Sequence, residues 1–264
     1  MKAPTHRQAK AAGIQILAGP HAVLEAMRAS RRTLHRILLA RQGPGAAIEA
    51  ILRMARAHGV PVEVRSRSDL DRLAGGIAHQ GVLAEAGPFP YLEPEEVATR
   101  ALRGPGAAFL VVLDGIQDPH NLGAIIRTGE AAGAHGLILP RDRAAPVTGA
   151  AVRASAGASE HLPVAQVTNL AAFLKWVKTQ GIWVVGADPA GARLLYDVDL
   201  RGPLALVIGA EGRGLRPVVK SRCDHTVRIP AVGKVGSLNA SCAAAVCIFE
   251  IIRQRWGNKG QRGM

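Results

Sequence analysis

The sequence predicts an α/β protein in two parts: a small N-terminal unit over 14–86, and a larger unit over 108–256 built on a mostly parallel sheet. In both parts, short apolar runs alternate with amphipathic stretches, which is typical of layered sheets. Residues 87–107 hold four prolines and three glycines and therefore indicate a linker between the two units. In the last third of the chain, two glycine-rich loops follow apolar runs, as expected where buried strands end.

Composition limits the class of protein. The chain has 264 residues, 48% hydrophobic and 20% charged, so it can fill a core and wholesale disorder is not expected. No apolar run approaches the roughly 18 residues that span a bilayer, and no signal peptide is recognisable. We expect a cytoplasmic protein. The three cysteines lack metal-ligand spacing and predict buried, reduced thiols without a metal.

The charge points to a polyanionic partner. The net charge is +13. Residues 28–67 contain nine arginines but only two acidic residues, Glu49 and Glu63. Residues 1–13 predict a disordered basic arm, and 257–264 form a basic tail. A general preference for arginine in this chain would also raise the charge, but it does not explain why acids are scarce where arginines cluster.

The elements of the N-terminal unit follow from periodicity. Its order is a helix at HAVLEAMRA (21–29), a strand at HRILLA (35–40), a helix at 46–59 that stops at Gly59, and strands at 60–65 and 80–86. In the helix over 46–59, Arg53 and Arg56 lie opposite the apolar face. They belong either to an ordinary solvated surface or to one that faces RNA, and spacing alone does not decide.

The larger unit begins with a strand at FLVVLD (109–114). It continues with helices at 121–132, near 147–156 and at 169–180, and with strands at 136–140 and 182–188. Residues 87–107 allow one helical turn at PEEVATRAL. Two further apolar runs, LALVIG (204–209) and TVRIP (226–230), predict buried strands. The last helix is predicted to begin at Ser237, as its N-cap.

The two late glycine loops, at 209–214 and 230–237, therefore meet at strand ends ahead of a helix. Ligands of open α/β sheets bind at such places. The first strand is not followed by the GxGxxG of a dinucleotide site, and GKVGS lacks the pattern of a phosphate-binding Walker A loop. These features predict a nucleotide-like ligand held by backbone groups of the glycine loops, and they do not identify the ligand further.

Three segments carry a family resemblance: LDGIQDPHNLGAIIRTGEAAGAHGLIL, LVIGAEGRGL and IPAVGKVGSLNASCAAAVCIFE. In order and spacing they resemble the three motifs of the SpoU (TrmH-like) RNA ribose 2′-O-methyltransferases of the SPOUT superfamily. The N-terminal unit, with GPHAVLEA and HQGVLAE, resembles the L30e-like substrate-binding domain of that family. This pairing is most similar to the branch that methylates a guanosine ribose in 23S ribosomal RNA. The resemblance implies a trefoil-knotted α/β domain, a homodimer and S-adenosylmethionine bound in the knot.

The resemblance also implies the cofactor pocket. Matched to the motifs, Gly209, Ile229 and Leu238 are expected to line it, largely through backbone amides and carbonyls. Two of these residues are apolar and one has no side chain, which suits contacts to adenine and methionine. No metal is implied.

A further set of residues matches the polar motif positions. The resemblance places in the catalytic site Asn121, Arg127, Glu211, Ser237 and Asn239. Without it, Arg127 would be a surface charge of its helix, and Asn239 a first-turn residue bonded to its own helix. The usual proposal for this family makes the motif-one arginine the base, but a guanidinium ordinarily stays protonated. We therefore expect Arg127 to hold phosphate and ribose.

Other functions stay open. A ribosome-associated RNA-binding protein with a vestigial cofactor site is the alternative outside enzymology. Within the superfamily, the alternatives are a tRNA ribose methyltransferase and a resistance-type ribosomal RNA methyltransferase. The tRNA enzymes often lack an L30e-like domain, so residues 14–86 argue against the first of these two.

Overall fold

The computed structural model describes residues 13–41, 45–234 and 236–257. Its contacts divide the chain into two compact units. Unit 1 is drawn from Met1–Pro90 and Val147–His161, and unit 2 from Tyr91–Pro146 and Leu162–Met264. Apart from Gly13 and Gly257, the predicted basic arm and basic tail lie outside the described residues.

Unit 1 is built on a four-stranded sheet in the order β1-β4-β2-β3, in which β2 and β3 pair in parallel and β4 pairs antiparallel with both of its neighbours. Its first seven elements are β1 (Gln15–Ala18), α1 (Pro20–Ala29), β2 (Leu34–Ala40), α2 (Ala46–His58), β3 (Val62–Arg65), α3 (Arg67–Ala74) and β4 (Val82–Ala86). The predicted helices and strands are all present, and α2 ends at Gly59 with a left-handed φ of 65°. Hydrophobic periodicity did not predict β1 or α3; α3 is short and buries only Leu70, Leu73 and Ala74.

Unit 1 also contains a segment from the middle of the chain. The helix predicted near 147–156 is α6 (Gly149–Ala154), followed by a 3₁₀ helix at Ala158–Glu160. The buried carboxylate of Glu160 pairs with the guanidinium of Arg32, whose side chain is also buried. The Gln15 side-chain amide donates to the Val147 carbonyl at 2.7 Å. Periodicity alone predicts this helix in the larger unit, because a local pattern cannot reveal such distant partners, and the structure shows that prediction to be wrong.

Unit 2 has the predicted parallel sheet. Its elements are α4 (Pro94–Arg103), β5 (Phe109–Asp114), α5 (Pro119–Ala131), β6 (Gly136–Pro140), β7 (Val164–Val167), α7 (Leu170–Thr179), β8 (Trp183–Ala187), β9 (Arg193–Leu194), β10 (Leu204–Gly209), α8 (Pro217–Lys220), β11 (His225–Arg228) and α9 (Ala240–Gly257). The strand order is β7-β6-β5-β10-β8-β11-β9, and every pairing is parallel. The two-part α/β architecture is confirmed, whereas the trefoil knot stays a prediction.

The sheet of unit 2 is buried on both faces, as a parallel sheet requires. On one face, Ala205 and Val207 of β10 belong to a core that includes α4, α7 and α8. On the other, α5 packs against α9. The prediction of a single helical turn in the linker was wrong, because α4 has ten residues and buries Val97 and Ala101 in this core. Within the described residues, no helix is long and apolar enough to cross a membrane.

Candidate functional site

A cavity of about 670 Å³ opens at the carboxyl ends of β8, β10 and β11 in unit 2. The chain runs outward from β5 to β7 and then returns to β8, so the strand order reverses here. Ligands of open α/β sheets bind at such a switch point. Both glycine-rich loops predicted from the sequence contribute to the walls.

Five of the eight predicted site residues line this cavity. They are Gly209, Glu211, Ile229, Ser237 and Leu238. Most of the accessible wall is apolar, five of the lining residues are glycines, and the polar side chains on it include Asp188, Glu211 and Arg228. Such a lining suits an uncharged ring system gripped by backbone groups. The three residues predicted for the cofactor pocket therefore lie together.

Gly209 ends β10 where the backbone turns back on itself. A Cβ at this position would lie 2.7 Å from the Leu215 nitrogen and closer still to the Gly214 carbonyl. The φ of Gly209 is not among the left-handed ones. Proximity, and not backbone strain, therefore excludes a side chain here.

Asn239 joins three parts of the site. Its Nδ2 donates to Oδ1 of Asn121 at 3.0 Å and to Oε1 of Glu211 at 3.3 Å. Its Oδ1 accepts from the Ser241 nitrogen at 2.9 Å, which caps α9. The prediction that Ser237 caps this helix was wrong, because α9 begins only at Ala240. The expectation that Asn239 bonds to its own helix is therefore confirmed, while its catalytic role stays a prediction.

Arg127 lies apart from that chain of hydrogen bonds. It is exposed on α5, six residues after Asn121, which is about 9 Å along the helix axis. Among the contacts of the described residues, none joins Arg127 to Asn121, Glu211 or Asn239. Its guanidinium is available to a ligand from solvent.

Two buried carboxylates that the sequence analysis did not single out hold one wall of the cavity. Asp114 ends β5 and accepts from the Arg216 nitrogen at 2.8 Å and from its Nε at 2.6 Å. Asp188 follows β8 and accepts from the Leu215 nitrogen at 3.4 Å. Burial disfavours its ionisation, but hydrogen bonds from backbone nitrogens and Lys220 outweigh burial and keep the pKa of Asp188 below its usual value. A sequence signal existed, because FLVVLD and WVVGAD both end an apolar run in aspartate.

The cysteines are free, and their environments differ. Cys247 is buried and Cys223 half-buried, and burial raises the pKa of each thiol to about 12. Cys242 is exposed, so the prediction of three buried thiols was wrong for this one. Among the described residues, no group of three or more His, Cys, Asp or Glu side chains could hold a metal.

The arginine cluster of unit 1 has two kinds of member. Arg32 pairs with Glu160, and Arg36 pairs with Glu63 and Glu85, which raises the pKa of Arg36. These side chains are committed to the fold. The exposed members of the cluster are Arg28, which pairs with Glu25, and Arg41, Arg53, Arg56 and Arg67. These exposed guanidinium groups can meet phosphates.

Comparison with known proteins gives two family matches. The model described as the SpoU rRNA Methylase family matches residues 108–249. A second, described as RNA 2′-O ribose methyltransferase substrate binding, matches residues 16–92. Among curated relatives, the 23S rRNA (guanosine-2′-O-)-methyltransferase RlmB of Pseudomonas aeruginosa is 39% identical over 237 residues, covering 90% of this chain and 95% of that one. RlmB of Bordetella pertussis is 39% identical over 246 residues, 93% of this chain and 100% of that one.

Solved structures give the same grouping. The SpoU methyltransferase AviRb from Streptomyces viridochromogenes, in complex with the cofactor AdoMet, has a TM-score of 0.79 at 28% identity, covering 95% of this chain and 94% of that one. A protein studied for 2-OH methylation of C/U34 on tRNA has a TM-score of 0.52 at 32% identity. That match covers 99% of the tRNA protein but only 58% of this chain.

Proposed function

Because this chain belongs to the SpoU rRNA methylase family, we propose that it methylates the ribose 2′-hydroxyl of a guanosine in 23S ribosomal RNA. The methyl donor is S-adenosylmethionine, the cofactor bound in the AviRb complex. The observation that carries the proposal is the cavity of unit 2, whose walls include residues of two of the three family motifs. The RlmB relatives, aligned over nine-tenths of the chain, support the guanosine of 23S rRNA as its target.

The cavity fits this cofactor. Its volume of about 670 Å³ lies within the range of pockets that bury a ligand of this size. We assign Gly209, Ile229 and Leu238 to its walls, where backbone groups meet the adenine and the methionine. The close approach of the chain at Gly209 supports this assignment, because only glycine lets the backbone form that wall.

Catalysis on this reading is mainly positioning. When bound, S-adenosylmethionine supplies a methyl group already activated by a positively charged sulfur. The protein must place a 2′-hydroxyl in line with it, and good orientation can contribute as much as ~7–11 kcal/mol. We assign the placement to the chain Asn121–Asn239–Glu211, which joins all three motifs by hydrogen bonds. Ser237 lies on the cavity wall beside this chain.

We assign Arg127 to the substrate phosphate and ribose. Its exposure leaves the planar fork of donors free for bidentate contact with an anion. A guanidinium holds its proton too tightly to serve readily as a base, and a phosphate beside it strengthens that hold. Arg127 therefore acts as a clamp in this proposal.

Unit 1 favours ribosomal RNA over tRNA. The substrate-binding family model matches residues 16–92, almost all of which lie in unit 1. The solved protein that concerns tRNA methylation aligns with only 58% of the present chain. The exposed arginines of α2, Arg53 and Arg56, suit the phosphates of a large folded RNA.

We also propose that the protein is a homodimer in which α9 meets its copy. On this helix Phe249 is 52% exposed and Trp256 is 70% exposed. Because they lie seven residues apart, they share one face. Two large apolar side chains on one exposed helix face indicate a buried contact in the assembled protein. The homodimer implied by the family resemblance provides that contact with a second copy.

The test is a map of ribose methylation in ribosomal RNA from cells with and without the gene. We expect one guanosine 2′-O-methyl group of 23S rRNA to disappear and to return when the gene is restored. An unchanged 23S rRNA together with a lost methyl group in tRNA would favour the tRNA alternative.

A further inference from the structure

We propose that Asp114 and Asp188 are positioning residues that hold the loop over residues 210–216 in its cofactor-binding shape before the cofactor arrives. The inference rests on the proposed function, because it concerns the same cavity. It adds two side chains that lie outside the glycine loops.

The strand order places one carboxylate on each side of this loop. Strand β10 lies between β5 and β8, and the loop leaves its end. Asp114 is in register with Gly209 across the β5–β10 pairing. Asp188 directly follows Ala187, which is in register with Ile208 across the β8–β10 pairing. The loop therefore starts between two aspartates at almost the same height in the sheet.

Both aspartates bond the returning end of the same loop. Asp114 takes the backbone nitrogen and Nε of Arg216, at 2.8 and 2.6 Å. Asp188 takes the Leu215 nitrogen at 3.4 Å, and its other oxygen accepts from the Ala190 nitrogen at 2.8 Å. Lys220, at 3.1 Å, neutralises its charge. The last residues of the loop are thus fixed from both sides.

Burial makes these bonds costly to lose. Asp114 is 1% exposed and Asp188 is 8% exposed. A buried carboxylate is tolerated only where hydrogen bonds and an opposite charge satisfy it. Here the loop end supplies both hydrogen bonds of Asp114 and one of the partners of Asp188. Departure of the loop would leave both carboxylates short of partners. The closed loop is therefore the arrangement that the surrounding structure enforces.

The loop needs this enforcement because its own sequence is permissive. Gly212 and Gly214 have left-handed φ values of 72° and 63°, and glycine loses more freedom on ordering than any other residue. Within the loop, the chain closes through a single backbone bridge between Ala210 and Gly214. Without the aspartates, the free energy needed to order the loop would reduce the free energy of cofactor binding. With them, the loop is preorganised and the affinity is higher.

A purely structural role for the aspartates makes a different prediction. It would lower the melting temperature and leave the affinity for the cofactor unchanged. A positioning role instead affects cofactor binding and leaves the rate at saturation unchanged, because a high concentration of cofactor can still order a loosened loop. The KM for S-adenosylmethionine would rise while kcat at saturation stays close to wild type.

The variants are Asp188→Asn and Asp114→Asn, with Asp199→Asn as the matched control. Asp199 also pairs with an arginine, Arg201, at 2.7 Å, but it is exposed and does not line the cavity. Calorimetry with S-adenosylmethionine should show the Kd raised at least tenfold in each of the first two variants and unchanged within twofold in the control. Hydrogen exchange should show residues 210–216 protected in wild type with or without cofactor, and in the variants only with it.

Affinities within twofold of wild type in both variants, with residues 210–216 still protected without cofactor, would overturn the proposal. If either variant does not fold, Lys220→Met and Arg216→Gln weaken the same two anchors from the surface and should raise the Kd at least threefold. An unchanged Kd in that pair would equally overturn it. A wild-type protein that binds no S-adenosylmethionine would instead refute the proposed function.

Discussion

Replacement of Gly209 by alanine adds one methyl group to the cavity wall, at a position where another stretch of backbone lies very close. That methyl group would meet the Gly214 carbonyl and would lie 2.7 Å from the Leu215 nitrogen. These are backbone atoms and cannot rotate away as a side chain could. Gly209 itself is held in the sheet by pairing with β5, so the loop must move instead.

The size of the effect follows from the hydrogen bonds that this movement breaks. A displaced loop loses the bonds of Leu215 and Arg216 to Asp188 and Asp114. At about 1.5–3 kcal/mol for each hydrogen bond to a carboxylate, the loss of these two backbone bonds costs about 3–6 kcal/mol. Since 1.4 kcal/mol corresponds to a factor of ten, we expect the Kd for S-adenosylmethionine to rise at least about 100-fold.

Isothermal titration calorimetry measures this change, and Gly236→Ala is its control. Gly236 also lines the cavity, but a Cβ there would have nothing within 4 Å. The control should bind the cofactor as wild type does. Circular dichroism should show that both variants are folded. Equal affinities for wild type and a folded Gly209→Ala variant would refute the role of this close approach.

Four further predictions concern other surfaces. In single-turnover assays from pH 7 to 10, Arg127→Lys should lose most activity at every pH, since lysine keeps the charge but not the planar fork of donors. A rate that climbs towards wild type as the pH rises would instead indicate that residue 127 acts as the base. Alanine at both Arg53 and Arg56 should reduce the salt dependence of RNA binding by roughly 0.7–0.9 per lost contact, and an unaltered slope would assign both to ordinary surface. Phe249→Glu should convert a dimer to a monomer in light scattering, whereas Phe249→Leu should not. At pH 8, a thiol reagent should label only Cys242 rapidly, because burial raises the pKa of the other two thiols to about 12; rapid labelling of three thiols would contradict their burial.

Much of the architecture could be predicted because the strands of unit 2 are long apolar runs. β5 and β10 are uninterrupted runs closed by aspartate or glycine, and the structure has them at the predicted bounds. Both glycine loops were also expected at strand ends, since glycine marks such exits from the sheet. Short elements such as β9, with two residues, carry no period to detect.

What the sequence could not give depends on distant partners. Glu160 reads as a solvated acid until Arg32 is placed beside it. The cap of α9 was misassigned because Ser237 and Asn239 are equally good capping residues, and only the structure shows which oxygen meets the helix nitrogens. Asp114 and Asp188 bond residues 27 to 102 positions away. Hydrophobic periodicity reflects only neighbouring residues, whereas these hydrogen bonds join residues that are far apart in the chain.

The most direct test of the central claim is methyl transfer by the purified protein from tritiated S-adenosylmethionine to 23S rRNA that lacks the modification. We expect label to enter the RNA and nuclease digestion to release it as 2′-O-methylguanosine. Absence of transfer to this RNA, or label recovered on a base instead of a ribose, would contradict it.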